Sequence, residues 1–352
     1  MSTATFTCPT PIATRDRIVL GHGSGGRLSA ELLRDIFLPL FSNPVLDRMD
    51  DQALLEVGRE RIAFTTDSFV VQPLFFPGGD IGSLAVHGTV NDLAMGGARP
   101  LFLSAAFILE EGFSTESLRA IAKSMADAAA AAGVTIVTGD TKVVEKGKGD
   151  GLFITTTGIG IVPEGVRLSA SNARPGDRVI LSGAIGDHGI AILAQRDGLE
   201  FESEIQSDSA PLDQLVADML NASNAIRCLR DPTRGGLSSA LNEIAQSSGV
   251  HIHLDETKIL VRDDVKGACE LLGLDPLYVA NEGKLVALVA PEAADAVLAA
   301  MRRNPRGEEA AIIGTVAEPV GDQHAGLVTM RTAFGSTRIV DLLAGDQLPR
   351  IC

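Results

Sequence analysis

Between residues 65 and 100 the chain places polar side chains of complementary chemistry within an otherwise apolar and glycine-rich stretch. Asp67 follows a short β-branched run, which predicts a carboxylate at the end of a buried strand. His87 and Asn91 are four residues apart, so one helix face would present both, with Asp92 beside them. The imidazole, the amide and the Asp92 carboxylate could therefore bind one ligand. The alternative is an amphipathic helix that turns the same polar face toward water.

A glycine-rich segment, GHGSGGRLSAELLRDIF from Gly21 to Phe37, predicts a loop that runs into a helix. Glycines let backbone amides approach an anion closely, and a helix start favours negative charge. The segment lacks the GK[ST] ending of a Walker loop. We interpret it as a flap over a nucleotide, with a plain hinge as the alternative. The candidate binding residues are Gly23, Ser24, Gly25 and Gly26.

Two more segments place polar side chains beside glycines at predicted element ends. The first follows an apolar run at 134–138 that predicts a strand, and the second, DPTRGGL at 231–237, directly precedes a predicted helix. Both contexts are typical of ligand-binding loops in α/β proteins. The candidate residues in them are Asp140, Thr141, Lys142, Asp231, Thr233 and Gly235.

Four aspartates lie in glycine-flanked, strand-end or helix-start contexts: Asp51, Asp67, Asp92 and Asp231. Mg²⁺ takes hard oxygen ligands and bridges to phosphates, so carboxylates spread around a triphosphate are what an ATP site without a Walker loop needs. Any one of these aspartates alone could equally be a solvated surface group. Their contexts, rather than their number, support the magnesium interpretation.

Hydrophobic periodicity predicts alternating strands and helices, and therefore an α/β or α+β fold. In the first half we expect helices at 81–95 and 114–132 and strands at 61–66, 101–108, 134–138 and 152–162. The pattern resets near Arg174-Pro175-Gly176. We predict an N-terminal domain (1–165), a C-terminal α/β domain (166–340) and a tail (341–352) with a hinge at Gly345.

Composition narrows the function. The formal charge of −15, with no block of Lys or Arg, argues against nucleic acid or an anionic membrane as a partner. We see no secretory signal and no apolar stretch long enough to span a bilayer, so we expect a cytoplasmic protein. Its four cysteines, Cys8, Cys228, Cys269 and Cys352, lack the spacing of a zinc site and are expected to be free thiols.

The segments DDQA, TTDSFVV, FFPGGDIGSLAVHGTVNDLAMGGARP, TGDTKVV, DPTRGGL and NEGKLV occur in this order over most of the chain. Together they resemble the superfamily of ATP-binding enzymes that includes aminoimidazole ribonucleotide synthetase and selenophosphate synthetase. GHGSGG and the ending PRIC, with Cys352 as the final residue, resemble the HypE branch, the hydrogenase maturation factors. The resemblance covers roughly 19–352 and is specific, because a final cysteine is rare outside that chemistry.

The resemblance implies a two-domain PurM-like fold whose N-terminal mixed sheet forms a homodimer interface, with ATP held between the domains. It implies Mg²⁺ and phosphate binding by the four aspartates. Cys352 would receive a carbamoyl group from a HypF-like carbamoyltransferase, and ATP-dependent dehydration would turn the thiocarbamate into a thiocyanate. Cyanide would then pass to iron held by HypC- and HypD-like proteins that build the nickel–iron hydrogenase site.

An amide oxygen is a poor leaving group unless ATP converts it into phosphate, so this chemistry needs a base and a cation near the oxygen. We assign the base to Glu282 and the cation to Lys142, with a salt-bridge partner and a surface lysine as alternatives. The α-carboxylate of Cys352 should raise the thiol pKa, and we expect Arg350 or a partner's cation to offset this. If the family assignment fails, Cys352 is a terminal thiol without a role.

Two other functions fit parts of the sequence. A selenophosphate synthetase-like enzyme would use an early thiol, but the glycine-rich loop here has none and Cys8 stands beside Pro9. A non-catalytic scaffold would bind ATP only to control the tail. Mass change on Cys352 upon carbamoyl loading and ATP addition distinguishes the enzyme from the scaffold.

Overall fold

The protein is described by a computed structural model covering residues 18–199, 205–319, 326–343 and 350–352. The predicted hinge at Gly345, together with Cys8, Pro9 and Pro349, lies outside these residues. The described part forms two large sheets, one on each side of a shared polar cavity, and one two-stranded ribbon. The predicted α/β class is confirmed, while the domain boundary near residue 166 stays a prediction.

The first sheet has five strands in the order β1-β2-β7-β5-β6, and a two-stranded ribbon, β3-β4, precedes helix α3. These strands are β1 (Ala53–Val57), β2 (Glu60–Phe69), β3 (Phe75–Phe76), β4 (Gly79–Asp80), β5 (Arg99–Glu110), β6 (Thr135–Val144) and β7 (Leu152–Ile161). Helices α3 (Ile81–Met95) and α4 (Thr115–Ala131) bury an aliphatic core with one sheet face. Such burial is the main force holding the layers together.

Local signals explain where these two helices begin. The Asp80 side chain accepts hydrogen bonds from the backbone N–H groups of Gly82 and Ser83, and Ser114 caps α4 in the same way through Ser117 N–H. Side-chain oxygens at this position satisfy amides that have no partner inside the helix. The predicted helices at 81–95 and 114–132 are therefore confirmed almost to the residue.

Two predicted strand ends are wrong. Asp67 lies within β2, where it pairs with Thr156 of β7, and the strand runs on to Phe69. Gly139 to Lys142 lie within β6, paired with β5, rather than in a loop after it. The outer face of the first sheet is not covered by a helix in the described structure, so its apolar side chains are exposed, including Phe102, Ile108 and Val137.

The second sheet has seven strands in the order β14-β13-β10-β12-β8-β11-β9. They are β8 (Arg178–Leu181), β9 (Ile226–Arg230), β10 (His251–Asp255), β11 (Val286–Val289), β12 (Ala311–Ala317), β13 (Leu327–Arg331) and β14 (Thr337–Ile339). Its helices are α5 (Asp187–Asp197), α6 (Asp213–Ala222), α7 (Gly236–Ser248), α8 (Asp263–Leu272) and α9 (Ala294–Arg303). Strands β8 and β11 are buried almost completely, so this sheet forms the centre of the C-terminal half.

The glycine-rich segment leads into short helices that have no buried residue, α1 (Arg27–Leu32) and α2 (Leu38–Phe41), joined by a π-helical turn. No helix in the described ranges combines the length and apolar character that crossing a bilayer requires.

Candidate active site

A cavity of about 250 Å³ lies where the first sheet and α3 meet the start of α7. Its walls come from both halves of the chain, and carboxylates dominate them. The lining residues are Gly25, Asp51, Thr66, Asp67, Gly88, Asp92, Arg230, Asp231, Thr233, Arg234, Gly236, Ser239, Ala240, Glu243 and Glu282. The structure thus brings together the four predicted aspartates, Glu282 and part of both glycine-rich loops.

Strand β2 and helix α3 position the carboxylates of the first half. The Thr65 hydroxyl donates to Asp92 Oδ2 at 2.9 Å and fixes that carboxylate against the sheet. Gly88 lets the helix approach the strand, since a Cβ there would lie 2.9 Å from the Phe69 ring. Any larger residue at position 88 would separate Asp92 from Asp67.

The start of α7 supplies the opposite wall. Asp231 and Thr233 precede Gly235 and Gly236, both of which have positive φ. A Cβ on Gly235 would lie 2.1 Å from Ser239 Oγ, so this turn requires glycine. Ser239 is 2% exposed, and its Oγ has no hydrogen-bond partner among the described residues. A buried hydroxyl at a helix start that lines a cavity is a ready anion ligand.

Sequence reasoning missed Ser239. Its only local signal was a position one turn into the helix after DPTRGGL.

The carboxylates that line the cavity repel one another as like charges, and burial leaves little water to screen this repulsion. Burial raises the pKa of Asp51 and of Asp92 well above the usual range, and neighbouring aspartates add to both shifts. Burial also raises the pKa of Asp231 to about 6 and raises that of Asp67. Crowded acids with shifted pKa values are characteristic of sites that bind cations or move protons.

Two arginines partly balance this charge. Arg230 Nε lies 3.0 Å from Asp51 Oδ1, and its guanidinium also pairs with Glu243. Arg234 donates from Nη1 to the carbonyl of Gly23 at 3.4 Å, which ties the cavity to the glycine-rich loop. Against five lining carboxylates from the predicted set, these two cations leave the cavity acidic.

The donor set of the cavity fits Mg²⁺ only in combination with other ligands. The described residues contain no group of three or more His, Cys, Asp or Glu side chains close enough to hold an ion by themselves. Mg²⁺ usually keeps several waters and bridges one or two carboxylates to phosphates, and the wall of hard oxygens suits that arrangement. Glu282 Oε1 also has no partner among the described residues.

The glycine-rich loop packs directly on the α7 start. Gly25 has φ of +74°, and a Cβ on it would lie 2.7 Å from the Arg234 carbonyl. The backbone N–H of Arg27 donates to Leu343 O at 2.9 Å. Of the four predicted loop residues, Gly25 lines the cavity and Gly23 contacts Arg234, while Ser24 and Gly26 lie outside the cavity walls.

Residues 350–352, at the end of the tail, are docked beside β2. The backbone N–H groups of Val70 and Gln72 donate to the carbonyl oxygens of Cys352 (3.0 Å) and Arg350 (3.2 Å), as in an antiparallel strand pair. Arg350 Nε donates to Val70 O at 3.1 Å, and its guanidinium pairs with Asp150. The last two residues, Ile351 and Cys352, are buried within the core of the first half.

Docking places the Cys352 thiol next to the acidic cavity. Burial raises the pKa of this thiol far above its usual range, Arg234 lowers it, and Glu282 with nearby aspartates raises it further. The cation whose field acts on the sulfur in the described structure is thus Arg234, whereas Arg350 is engaged with Asp150. Sequence reasoning named Arg350 because it is two residues from Cys352; only the fold brings Arg234 there.

Lys142, Asp140 and Thr141 are not brought to this cavity within one chain. Strand β6 is three positions from β2 in the sheet order, a separation of roughly 14 Å at ~4.8 Å per strand. Lys142 Nζ pairs with Asp140 Oδ2 at 2.6 Å, and both side chains are largely exposed. Asp140 and Thr141 instead line an open groove between β5, β6 and α4.

His87 and Asn91 also bind something other than the predicted ligand. His87 Nδ1 lies 3.0 Å from Ser209 Oγ. Asn91 Nδ2 donates to the carbonyls of Ala210 and Glu282, and Asn91 Oδ1 accepts from Leu212 N–H. The two side chains do share a target, as their spacing suggested, but the target is the segment before α6, and neither lines the cavity.

A larger cavity of about 670 Å³ lies beyond the Glu282–Lys284 turn. Its charged groups largely neutralise one another: Lys284 pairs with Asp208 at 3.0 Å, and Arg262 pairs with Glu309 at 2.9 Å. It is therefore a weaker candidate for chemistry than the acidic cavity beside Cys352.

Two family models match the chain: the N-terminal domain of AIR synthase related proteins over residues 49–162 and their C-terminal domain over residues 174–324. Together with the acidic cavity between the two halves, these matches define a member of the AIR synthase related class.

Relatives of higher sequence identity indicate which family within this class the chain resembles. The chain is 60% identical to the carbamoyl dehydratase HypE of Azotobacter vinelandii over 331 residues, which are 94% of this chain and 96% of the relative. It is 51% identical to HypE in a solved HypE–HypF complex, with a TM-score of 0.84 over 89% of this chain and 99% of that one. HypE solved in complex with ATP gives 50% identity and a TM-score of 0.80, over 96% and 100%.

The chain therefore belongs to the HypE family of carbamoyl dehydratases, and the predicted family and fold are confirmed.

Proposed function

We propose that the chain dehydrates a carbamoyl group carried on the Cys352 sulfur, using ATP, and thereby supplies cyanide for nickel–iron hydrogenase assembly. The observation that carries this proposal is the docking of Cys352 against an acidic cavity that holds Glu282 and Arg234. We infer the reaction from family membership and assign the residues from the geometry of the cavity.

The cavity suits the phosphate end of ATP. At about 250 Å³ it is smaller than the ~300–1,000 Å³ typical of whole-ligand pockets, so we assign it to the triphosphate and place the nucleoside outside. The unpaired Ser239 Oγ and the start of α7 would bind phosphate oxygens. Asp51, Asp67, Asp92 and Asp231 would hold Mg²⁺ through phosphates and waters. When bound, the ion would neutralise phosphate charge.

The reaction converts the amide oxygen into a leaving group and then removes it. The carbamoyl oxygen takes the γ-phosphoryl group from ATP, the C–O bond then breaks to release phosphate, and two N–H protons are lost to give the nitrile. Glu282 lines the cavity and is the group that would accept a proton; burial and nearby aspartates raise its pKa well above the usual value, which makes its carboxylate a stronger base. Arg234 would stabilise negative charge on the oxygen as phosphate departs.

The docked site favours a neutral sulfur group. Because burial raises the pKa of the Cys352 thiol, the docked sulfur is a poor nucleophile but a good match for an uncharged thiocarbamate. We therefore assign carbamoyl loading to an undocked tail presented to a HypF-like transferase. Transfer of cyanide to iron on HypC- and HypD-like proteins would likewise use the undocked tail.

We propose further that two copies pair through the outer face of the first sheet. Exposed apolar side chains on β5 and β6 support this, since contiguous apolar patches usually mark interfaces. Lys142 and Asp140 lie on β6 and would then face the partner's site. Mixing a Lys142→Ala variant with a Cys352→Ala variant tests the arrangement: activity absent from each alone should return in the mixture.

Intact-mass analysis tests the dehydration itself. With a carbamoyltransferase, carbamoyl phosphate and Mg-ATP, Cys352 should gain one carbamoyl group and then lose one water. Cys352→Ala should show neither change, and Glu282→Gln should stop after loading. Loading without subsequent water loss in the wild type would reduce the protein to an ATP-binding carrier.

A further inference from the structure

His188 is a buried histidine outside the acidic cavity that contacts the docked tail directly. It lies in the first turn of α5 and has no exposed surface. Its Nε2 lies 2.8 Å from the carbonyl oxygen of Ile351, and its Nδ1 lies 2.7 Å from Ser207 Oγ. The ring packs edge-on against Phe76 at 5.7 Å between centroids. Neither the sequence motifs nor the proposed chemistry assigns it a role.

The neighbours of His188 define its tautomer. A carbonyl oxygen can only accept, so Nε2 carries the proton and donates to Ile351. Nδ1 then accepts from the Ser207 hydroxyl, whose oxygen in turn accepts the backbone N–H of Ser209 at 3.1 Å. Burial lowers the pKa of His188, which keeps the ring neutral in this chain of hydrogen bonds. Both ring nitrogens are therefore satisfied only while Ile351 is docked.

This contact differs in kind from the others that hold the tail. Val70 and Gln72 bind it through their backbone N–H groups, and Arg350 binds from the tail itself. Among the hydrogen bonds that described residues make to Ile351 and Cys352, only the one from His188 is donated by a side chain outside the tail. It acts one residue before the reacting sulfur.

We infer that His188 is a positioning residue that holds the Ile351 carbonyl and thereby keeps the Cys352 sulfur at the acidic cavity. It does not take part in the chemistry, because it lies outside the cavity wall. Losing its hydrogen bond leaves a buried carbonyl without a donor, which shifts the equilibrium toward the undocked tail.

Alkylation of the Cys352 thiol measures docking without ATP, carbamoyl phosphate or any partner. Iodoacetamide reacts with an exposed thiol, so the labelling rate follows the undocked population. Asp-N digestion releases the peptide DQLPRIC, residues 346–352, which reports Cys352 separately from the other cysteines. The full chain is used throughout.

Two amide substitutions of different length separate the hydrogen bond to Ile351 from the packing of the ring, because both of them remove the ring. In His188→Asn the amide reaches only the position of Nδ1, so it can contact Ser207 but not Ile351. In His188→Gln the longer side chain can place an N–H near the position of Nε2. We expect His188→Asn to label about tenfold faster than wild type and His188→Gln to remain within about threefold of it. Equal acceleration in both variants, or none in His188→Asn, would overturn the inference.

Global unfolding is monitored in the same digest. Cys228 and Cys269 are 1% exposed, so their labelling reports opening of the core. If His188→Asn exposes these thiols too, Ser207→Ala provides the second test, because it leaves the ring in place and removes only the hydroxyl that fixes the tautomer. Ser207→Ala should accelerate Cys352 labelling in the same direction, and an unchanged rate would refute the inference.

The catalytic consequence rests on the proposed function. In single-turnover dehydration of preloaded protein, His188→Asn should slow water loss about tenfold and leave carbamoyl loading unimpaired. If labelling responds as expected but no variant, including the wild type, dehydrates, the positioning role stands and the proposed function fails. If dehydration proceeds in the wild type but labelling is indifferent to His188, the inference fails alone.

Discussion

Replacing Asn91 by alanine separates structural residues of helix α3 from those that face the ligand. Asn91 is 1% exposed and makes three hydrogen bonds to residues of the C-terminal half. Its Nδ2 donates to Ala210 O (3.1 Å) and Glu282 O (3.3 Å), and its Oδ1 accepts from Leu212 N–H (2.8 Å). Alanine leaves two carbonyls and one N–H buried without these partners. At about 1–2 kcal/mol for each lost bond, we expect a loss of roughly 3–6 kcal/mol.

That loss is a large share of the ~5–15 kcal/mol by which proteins of this kind are stable. Urea unfolding measures it as a lower midpoint with little change in slope. The same titration with Mg-ATP gives the extra stability that nucleotide binding confers, and this increment should be close to that of wild type because Asn91 does not line the cavity.

Asp92→Asn is the matched control, since residue 92 is adjacent on the same helix but lines the cavity. Removing a buried charge that faces Asp231 and Asp67 should maintain or increase stability while abolishing the ATP increment. The reasoning fails if Asn91→Ala unfolds at the wild-type midpoint but no longer responds to ATP.

Three further predictions follow from the site. Glu282→Gln should slow nitrile formation about 10²–10⁴-fold by intact mass while the ATP increment persists; a wild-type rate would assign the base elsewhere. Burial, with a smaller contribution from Arg306, lowers the pKa of His87 to about 4. Its stability contribution is therefore present above pH 6.5 and lost as pH falls, by about 2 kcal/mol at pH 5, and His87→Gln should show a correspondingly flatter acid dependence in urea titrations. Gly235→Ala should cost about 1–3 kcal/mol of stability and weaken ATP binding. The control is Gly198→Ala, which has a similar φ but no atom within 4 Å of the added Cβ, so it should cost only the backbone strain and leave ATP binding intact. Equal effects of the two substitutions on ATP binding would contradict the assigned close contact.

The sequence predicted the elements that local signals determine. Helix α3 has a capping aspartate at its start and glycines after its end, and α4 has a capping serine and a following glycine, so both were placed almost to the residue. Helices α5 and α8 were not predicted. Neither start has a side-chain cap, but α6, α7 and α9 lack one as well, so the missing cap alone does not account for the omission.

The sequence predicted which carboxylates line the site but not how the other residues are arranged around them. Asp51, Asp67, Asp92 and Asp231 do line one cavity. Asp140 and Lys142 seemed equivalent because a run of valines and threonines does not reveal where a strand ends, and β6 continues through them. Arg234, Ser239 and His188 were missed because their importance comes from contacts with residues that are distant in sequence.

The protonated state of the docked sulfur has a consequence for how long the protein survives in an oxidising environment. Peroxide converts thiolates, not thiols, into sulfenic acid, and further oxidation is irreversible. A molecule that waits with Cys352 buried at high pKa thus shields the one atom it cannot replace. Oxidative damage should then increase with the time that Cys352 spends undocked, rather than with the age of the protein.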